Sequence, residues 1–183
     1  MNDNFEKIHL GCGDKYIDGF VHIDLLDLDH IDYVADARDL SFIPDDSAKL
    51  LYASHVLEHF GREELLPLLI EWHRVIKADG ILRIAVPDFK AVVEVYKHDP
   101  SYQLSDLIGL VCGGQKNEFD FHKTIFDEQY LTTFLKKVGF KKVSKWDWRD
   151  TEHSHVDDYS QAYLPHMDKE NGNLMSLNLQ AHK

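Results

Sequence analysis

KIHLGCGDKYIDGFVHID, residues 7–24, decides the fold. Its first four residues are short and apolar-ended and run straight into Gly11-Cys12-Gly13, the pattern of a strand emptying into a glycine turn. A second short run, FVHID, alternates Phe20 or Val21 with Ile23 and ends on the acid Asp24. Only residues 11–19 separate the two strands, whereas a parallel crossover normally takes about a dozen residues or more and usually a helix. If the strands are parallel, the crossover has been trimmed to a loop or one helical turn.

Working outward, IDYVADARDL (31–40) holds a third strand around Tyr33 to Ala35, and SFIPDDS supplies Pro and Asp for a turn. AKLLYAS (48–54) reads as a buried strand, and ILRIAV (81–86) as another, closed by Pro87. Between them Leu65, Leu68, Leu69, Trp72, Val75 and Ile76 follow helical spacing over Glu63 to Lys77, with Gly80 just beyond. Asp88 can cap a helix carrying Phe89, Val92, Val93 and Tyr96. Another pattern, Leu104 to Val111, stops at Gly113-Gly114, and a third helix begins at Asp127 and ends at Gly139. FKKVSKWDW (140–148) and the strict alternation of Met175, Leu177, Leu179 and Ala181 add two closing strands. The expected fold class is therefore α/β: a doubly wound, mostly parallel sheet with helices on both faces and an antiparallel C-terminal strand.

The chain's 183 residues and 44% hydrophobic content suit one domain, 1–183. The longest apolar runs, such as LLPLLI at 65–70, are too short to cross a bilayer, and MNDNFEKIHL has no apolar signal core. A cytoplasmic protein with no membrane partner is expected. Cys12 and Cys112 lie far apart, which suits reduced thiols. A net charge of −12 without a Lys/Arg cluster argues against nucleic acid. Much of the acid is local, ten aspartates between Asp14 and Asp46 against Lys15 and Arg38, which reads either as solvated loops or as a site for a cationic ligand.

Ligands of such sheets bind beyond the carboxyl ends of the strands. The residues there are Gly11-Cys12-Gly13, Asp24, Asp36-Ala37, His55 and Asp88. Each has a bland explanation, since glycines open many turns, acids are often only solvated, and Asp88 can be a simple helix cap. Their order is more informative. Glycines admit close approach of a ligand, an acid ending the next strand can accept from both ribose hydroxyls of a nucleoside, and Asp36 could accept from an adenine amino group.

HLGCGD, HIDL, ADARDLSFIPDDSAKLLYASHVLEHF and LLIEWHRVIKADGILRIAVPD together resemble the successive motifs of class I S-adenosylmethionine-dependent methyltransferases. HKTIFDEQYLTTFLKKVGFKKV and the segment from DDYSQAYLPHMD onward resemble a small bacterial subgroup with a shortened first crossover, so the likeness runs over nearly the whole chain. It implies a Rossmann-like sheet, S-adenosylmethionine as cofactor, and cofactor contacts from Leu10, Gly11, Cys12, Gly13, Asp24, Leu25, Asp36, Ala37 and His55. The family pattern has two further glycines and a full helix after the first strand, where this chain has only DKYIDGF. The reaction implied is methyl transfer to a small-molecule or sugar-containing acceptor, with His55, His122 and Asp88 as general-base candidates. A methyltransferase-fold binding module without chemistry is the rival reading, and oligomeric state is not legible.

SHVLEHF (54–60) also spells H-x-x-E-H, a zinc-peptidase signature through His55, Glu58 and His59. That chemistry needs a helix, and the residues before His55 read as a strand, so no metal is expected there. His153 and His155, in H-S-H, are expected at the solvated surface, and Cys12 packed in its turn.

Overall fold

A computed structural model describes residues 4–183. β1 (Lys7–Leu10) and β2 (Val21–Asp24) are parallel, with Ile8 opposite Val21 and Leu10 opposite Ile23, and residues 11–20 join them through turns with no helix. β3 (Tyr33–Val34) extends β2, and β4 (Ala48–Ser54) lies on the other side of β1. A single 3-10 turn (Leu57–His59) then leads toward α1 (Leu65–Val75), which runs directly into β5 (Ile76–Pro87). α2 (Phe89–His98), α3 (Leu104–Cys112) and α4 (Glu128–Val138) precede β6 (Lys142–Lys145). A two-stranded pair, β7 (Tyr163–Leu164) and β8 (Asn173–Leu174), precedes β9 (Ser176–His182).

The main sheet has seven strands in the order β3-β2-β1-β4-β5-β9-β6, and β9 is antiparallel to both of its neighbours. This is the expected α/β arrangement, a Rossmann-like sheet with one late antiparallel insertion. The caps are also as expected: Asp88 accepts from the Lys90 amide, Asp127 from the Tyr130 amide, and Gly139 closes α4 at φ +122°. α1 is shorter than its spacing suggests, because Ile76 spends its backbone on pairing with Ala48, so the strand expected at 81–86 begins five residues earlier.

Strand alternation sorts the residues onto two unlike faces. On one, Ile8, Leu10, Val21, Ile23, Leu51, Ala53, Leu82, Ile84 and Val86 pack under Leu65, Leu68, Leu69 and Trp72 of α1 and Leu131 and Leu135 of α4. Positions 65, 68, 69 and 72 form one helical stripe, and each such side chain contributes about 1.5–3 kcal/mol on burial. The other face carries the alternate residues His9, His22, Tyr52 and Arg83, all of them on β1, β2, β4 and β5. No helix from the first crossover covers them. Instead Ile17, Phe20 and Trp146 form a small apolar cluster there with Leu50, Tyr52 and Ala85, and His153 packs against the Tyr52 ring at 4.6 Å. The H-S-H segment is thus split: His155 is exposed, but His153 is buried, contrary to the expectation of a solvated loop.

Burial leaves its mark on these groups. Desolvation pushes the His9 imidazole down to about 3 and His153 to about 4, reinforced by His22 for the former and Arg83 for the latter. Tyr52, whose hydroxyl donates to the buried Asp158 carboxylate, is driven well up by burial and by that neighbouring charge.

Trp72 links core and sheet edge. Fully buried, it donates from Nε1 to the Ala37 carbonyl at 2.9 Å. Trp72→Phe keeps most of the apolar contact and strands that carbonyl, so urea unfolding should show a loss of about 1–2 kcal/mol. An unchanged midpoint would mean that the indole N–H is dispensable.

Candidate active site

The carboxyl ends of β1 to β5 converge on one edge of the sheet. Gly11 turns the chain there at φ +64° and donates to the Ile23 carbonyl at 2.7 Å; a Cβ at this position would run into Val56 Cγ2. Glycine is required on both counts, conformation and space. Asp24 closes the bend from the next strand: its Oδ2 accepts from the Gly13 amide at 2.8 Å and its Oδ1 from the Leu26 amide at 2.9 Å. A carboxylate has about four acceptor positions, so two lone pairs remain for a ligand. His30 approaches the Gly13 carbonyl through Nε2 at 3.1 Å and braces the same turn.

Next along the edge, Asp36 is held by Arg38 through the Arg38 amide at 2.9 Å and a two-pronged guanidinium contact. The hydrogen bonds from Arg38 lower the Asp36 pKa, and Asp36 and Glu64 together raise that of Arg38. Glu64 itself accepts from Arg38 at 2.9 Å and from the Gly61 amide at 2.8 Å. The opposite wall comes from the 113–126 segment. It turns back at Gly113, φ +79°, where a side chain would run into the Asp120 carbonyl. It is pinned by the Lys123 and Thr124 amides to the Glu58 carbonyl, and by Thr124 Oγ1 to the Phe60 carbonyl at 2.7 Å.

Between these walls lies a cleft of about 440 Å³, within the usual range of about 300–1,000 Å³ for small-molecule and cofactor sites. Leu10, Gly11, Gly13, Asp24, Leu25, Asp36, Ala37 and His55 all line it. Cys12 does not. It is buried beneath the turn, where desolvation and then Asp24 push its thiol up to about 12, so it packs, as its bland reading had it. Arg38, His59, Phe60, Glu118, Phe119 and Lys123 complete the wall and were not expected there from the sequence, His59 having been singled out only as part of H-x-x-E-H. Arg38 could have been, as the lone cation beside Asp36-Ala37; the last three come from a polar loop with no periodicity to mark it.

The general-base candidates are placed differently from one another. Asp88 caps α2 and is not a wall of the cleft. His55, at φ +55°, reaches Ser176 Oγ through Nε2 at 3.2 Å, and its Nδ1 lies 3.2 Å from Glu58 Oε1 without a hydrogen bond. His122 has Nδ1 at 3.2 Å from the Leu110 carbonyl and Nε2 at 4.0 Å from Glu58 Oε1; desolvation lowers its pKa despite the Glu58 charge. Upstream of His55 the backbone is β4, as expected, so the helix of a zinc-peptidase motif is not formed.

Comparison with known proteins agrees with this architecture. Residues 20–84 match the family model of a methyltransferase domain. The structure is similar to an S-adenosylmethionine-dependent methyltransferase from Archaeoglobus fulgidus, with a TM-score of 0.56 and 17% identity over 98% of this chain and 88% of the other. A second, from Mesorhizobium loti, gives 0.55 and 19% over 98% and 91%. A third is the 1,6-didemethyltoxoflavin-N1-methyltransferase of Burkholderia thailandensis, whose crystal structure contains 1,6-didemethyltoxoflavin and S-adenosylhomocysteine; it gives 0.55 and 13% over 96% and 70%. No curated protein matches the sequence. The chain has the class I S-adenosylmethionine-dependent methyltransferase fold.

Proposed function

We propose that this chain, having the class I methyltransferase fold, transfers a methyl group from S-adenosylmethionine to a small-molecule or sugar-containing acceptor. One observation carries the reading: at the end of β2 the Asp24 carboxylate is fixed by two backbone amides and still has free lone pairs facing an open cleft. A carboxylate so held is pre-organised to accept from a vicinal diol. The glycine turn beside it lets a ligand approach the backbone, and Asp24 adds a carboxylate to a cleft that also holds the Asp36–Arg38 pair, Glu118 and Lys123. The cofactor would bring its own electrophilic methyl group, so the protein's task is to hold two reactants in line.

Alignment of that kind is worth about 7–11 kcal/mol, against about 10²–10⁴-fold for a general base. Gly11, Gly13 and Asp24 would grip the nucleoside, and Ala35, Asp36 and Ala37 would line the wall beside its base, where Arg38 already holds the Asp36 carboxylate. Phe119 and Lys123, from the far wall, would shield the methyl position from water. His55, His122 and Asp88 remain the candidates for proton removal; His55 Nδ1 and His122 Nε2 make no hydrogen bond and lie 3.2 and 4.0 Å from Glu58 Oε1, while Asp88 Oδ1 caps α2.

Calorimetric titration with S-adenosylhomocysteine tests the reading. Saturable binding with about one ligand per chain is expected. No detectable binding would remove the cofactor and leave a degenerate scaffold, while binding with no methyl release on any acceptor would favour a sensor or partner protein on the same fold.

A further inference from the structure

Glu58 is 1% exposed, and neither of its carboxylate oxygens has a hydrogen-bond partner among the described residues. His55 Nδ1 stands at ion-pair distance from Oε1 but off a proper hydrogen-bonding line. An ionised carboxyl stripped of water and left without donors is strongly unfavourable.

Two more histidines converge on it. His59 Nδ1 is 3.2 Å from the Phe121 carbonyl and His122 Nδ1 is 3.2 Å from the Leu110 carbonyl. A carbonyl can only accept, so each ring carries a proton on Nδ1, and in the neutral imidazole the lone pair is then on Nε2. That of His122 faces Glu58 Oε1 at 4.0 Å, and the two rings lie edge to face at 5.1 Å. Ligand atoms of the three residues crowd within 4.8 Å of one another, and lone pairs brought that near a carboxylate repel it unless a positive charge sits between them. Backbone carbonyls behind metal-bound histidines fix the tautomer in just this way.

We propose that Glu58, His59 and His122 form a binding site for a divalent first-row metal ion of the zinc class, at the wall of the cleft. One ligand atom from each lies within 4.8 Å of the others. Around an ion held at about 2.0–2.2 Å such atoms stand roughly 3.3 Å apart, so the site closes with side-chain shifts of about an ångström. One carboxylate and two imidazoles favour zinc, iron or manganese over magnesium or calcium, which prefer oxygen alone, and three protein ligands leave a position open. His59 lines the cleft, so an ion held there would border the space beside the proposed cofactor site. His55 stands behind the ligands, with Nδ1 3.2 Å from Oε1.

This arrangement differs from the zinc-peptidase signature, whose two histidines share one helix. Here the 3-10 turn at Leu57–His59 directs Glu58 and His59 together, and the second imidazole comes from the 113–126 loop. Resting on the methyl-transfer reading, the inference extends to the acceptor class: an oxygen-bearing molecule whose hydroxyl occupies the open position. The ion would acidify that hydroxyl, and its proton would leave to solvent through the cleft.

The test uses the full chain stripped with a chelator and titrated with zinc chloride. About one equivalent should bind, and magnesium chloride should not compete. His59→Ala and His122→Ala should each weaken zinc binding by about 100-fold or more, since even groups behind the ligands are worth about 10–100-fold. His98→Ala, removing an exposed histidine paired only with Glu94, should leave it unchanged. Glu58→Gln should abolish binding, with the two histidine variants deciding if that protein does not fold. Zinc binding that is absent, or indifferent to His59 and His122, overturns the site. Titration of the same metal-free protein with S-adenosylhomocysteine separates the two readings: cofactor binding without zinc binding sinks the metal site alone, and zinc binding without cofactor binding sinks the acceptor role while the metal site stands.

Discussion

Between pH 7 and pH 5 the protein is expected to lose about 4 kcal/mol of folding stability from two buried histidines, His9 and His153. Both rings are held neutral in the folded chain, with pKa values depressed to about 3 and about 4. In the unfolded chain each titrates near 6.5, so below that pH the unfolded state binds protons that the folded state refuses. Stability is fully present above about 6.5 and falls as pH drops, each histidine contributing about 2 kcal/mol by pH 5, until the folded pKa is reached. His9 is enclosed by His22, Tyr52 and Phe20, and His153 by Tyr52, Phe20 and Arg83, with Asp158 and Glu152 as the nearby acids. His22, also depressed by burial, acts in the same direction. For a domain with an ordinary total of about 5–15 kcal/mol, the loss is large enough to shift the urea midpoint far to the left. Urea unfolding at a series of pH values checks it, and His9→Leu should remove about half of the pH dependence. A flat profile from pH 7 to 5 would show that these rings are hydrated or paired after all.

Asp24→Ala is expected to weaken S-adenosylhomocysteine binding by about 3 kcal/mol or more, about two orders of magnitude. Two charge-assisted hydrogen bonds to ribose hydroxyls are lost, each worth about 1.5–3 kcal/mol. The same substitution releases the Gly13 and Leu26 amides, so the turn that shapes the cleft loosens as well. Asp24→Asn separates the two contributions, because its side-chain oxygen can still accept from one amide. It should bind less tightly than the parent and more tightly than the alanine variant. Calorimetry on all three proteins, with thermal unfolding as a control for folding, gives the answer. Near-equal affinities would place the nucleoside elsewhere in the cleft.

Much of the cleft wall formed by the ends of β1, β2 and β3 was legible because it is local. A glycine pair after an apolar run, an acid closing the next run, and Asp-Ala after the third each lie within one strand end, and the sheet's parallel order brings them to one edge without further information. What the sequence concealed depends on distance. Nothing near His122 says that a loop turning at Gly113 will set it against Glu58, more than sixty residues earlier, and Glu118, Phe119 and Lys123 reach the cleft by the same turn. Nor does ADARDL show that Arg38 folds back onto Asp36 and occupies much of its carboxylate.

The sequence by itself determined the order of strands and helices, the glycine bend, and the acid that closes it, since strand and helix periods and turn chemistry act over a few residues. Only the tertiary structure decided the character of the second face of the sheet. KIHL and VHID are too short for alternation to declare that His9 and His22 point away from the apolar core, and in place of a crossover helix that face is covered by Ile17 and Phe20 together with residues 146–161. Burial of an imidazole, or of the Glu58 carboxylate, is a property of what packs over it. In this chain that cover is contributed by segments distant in sequence.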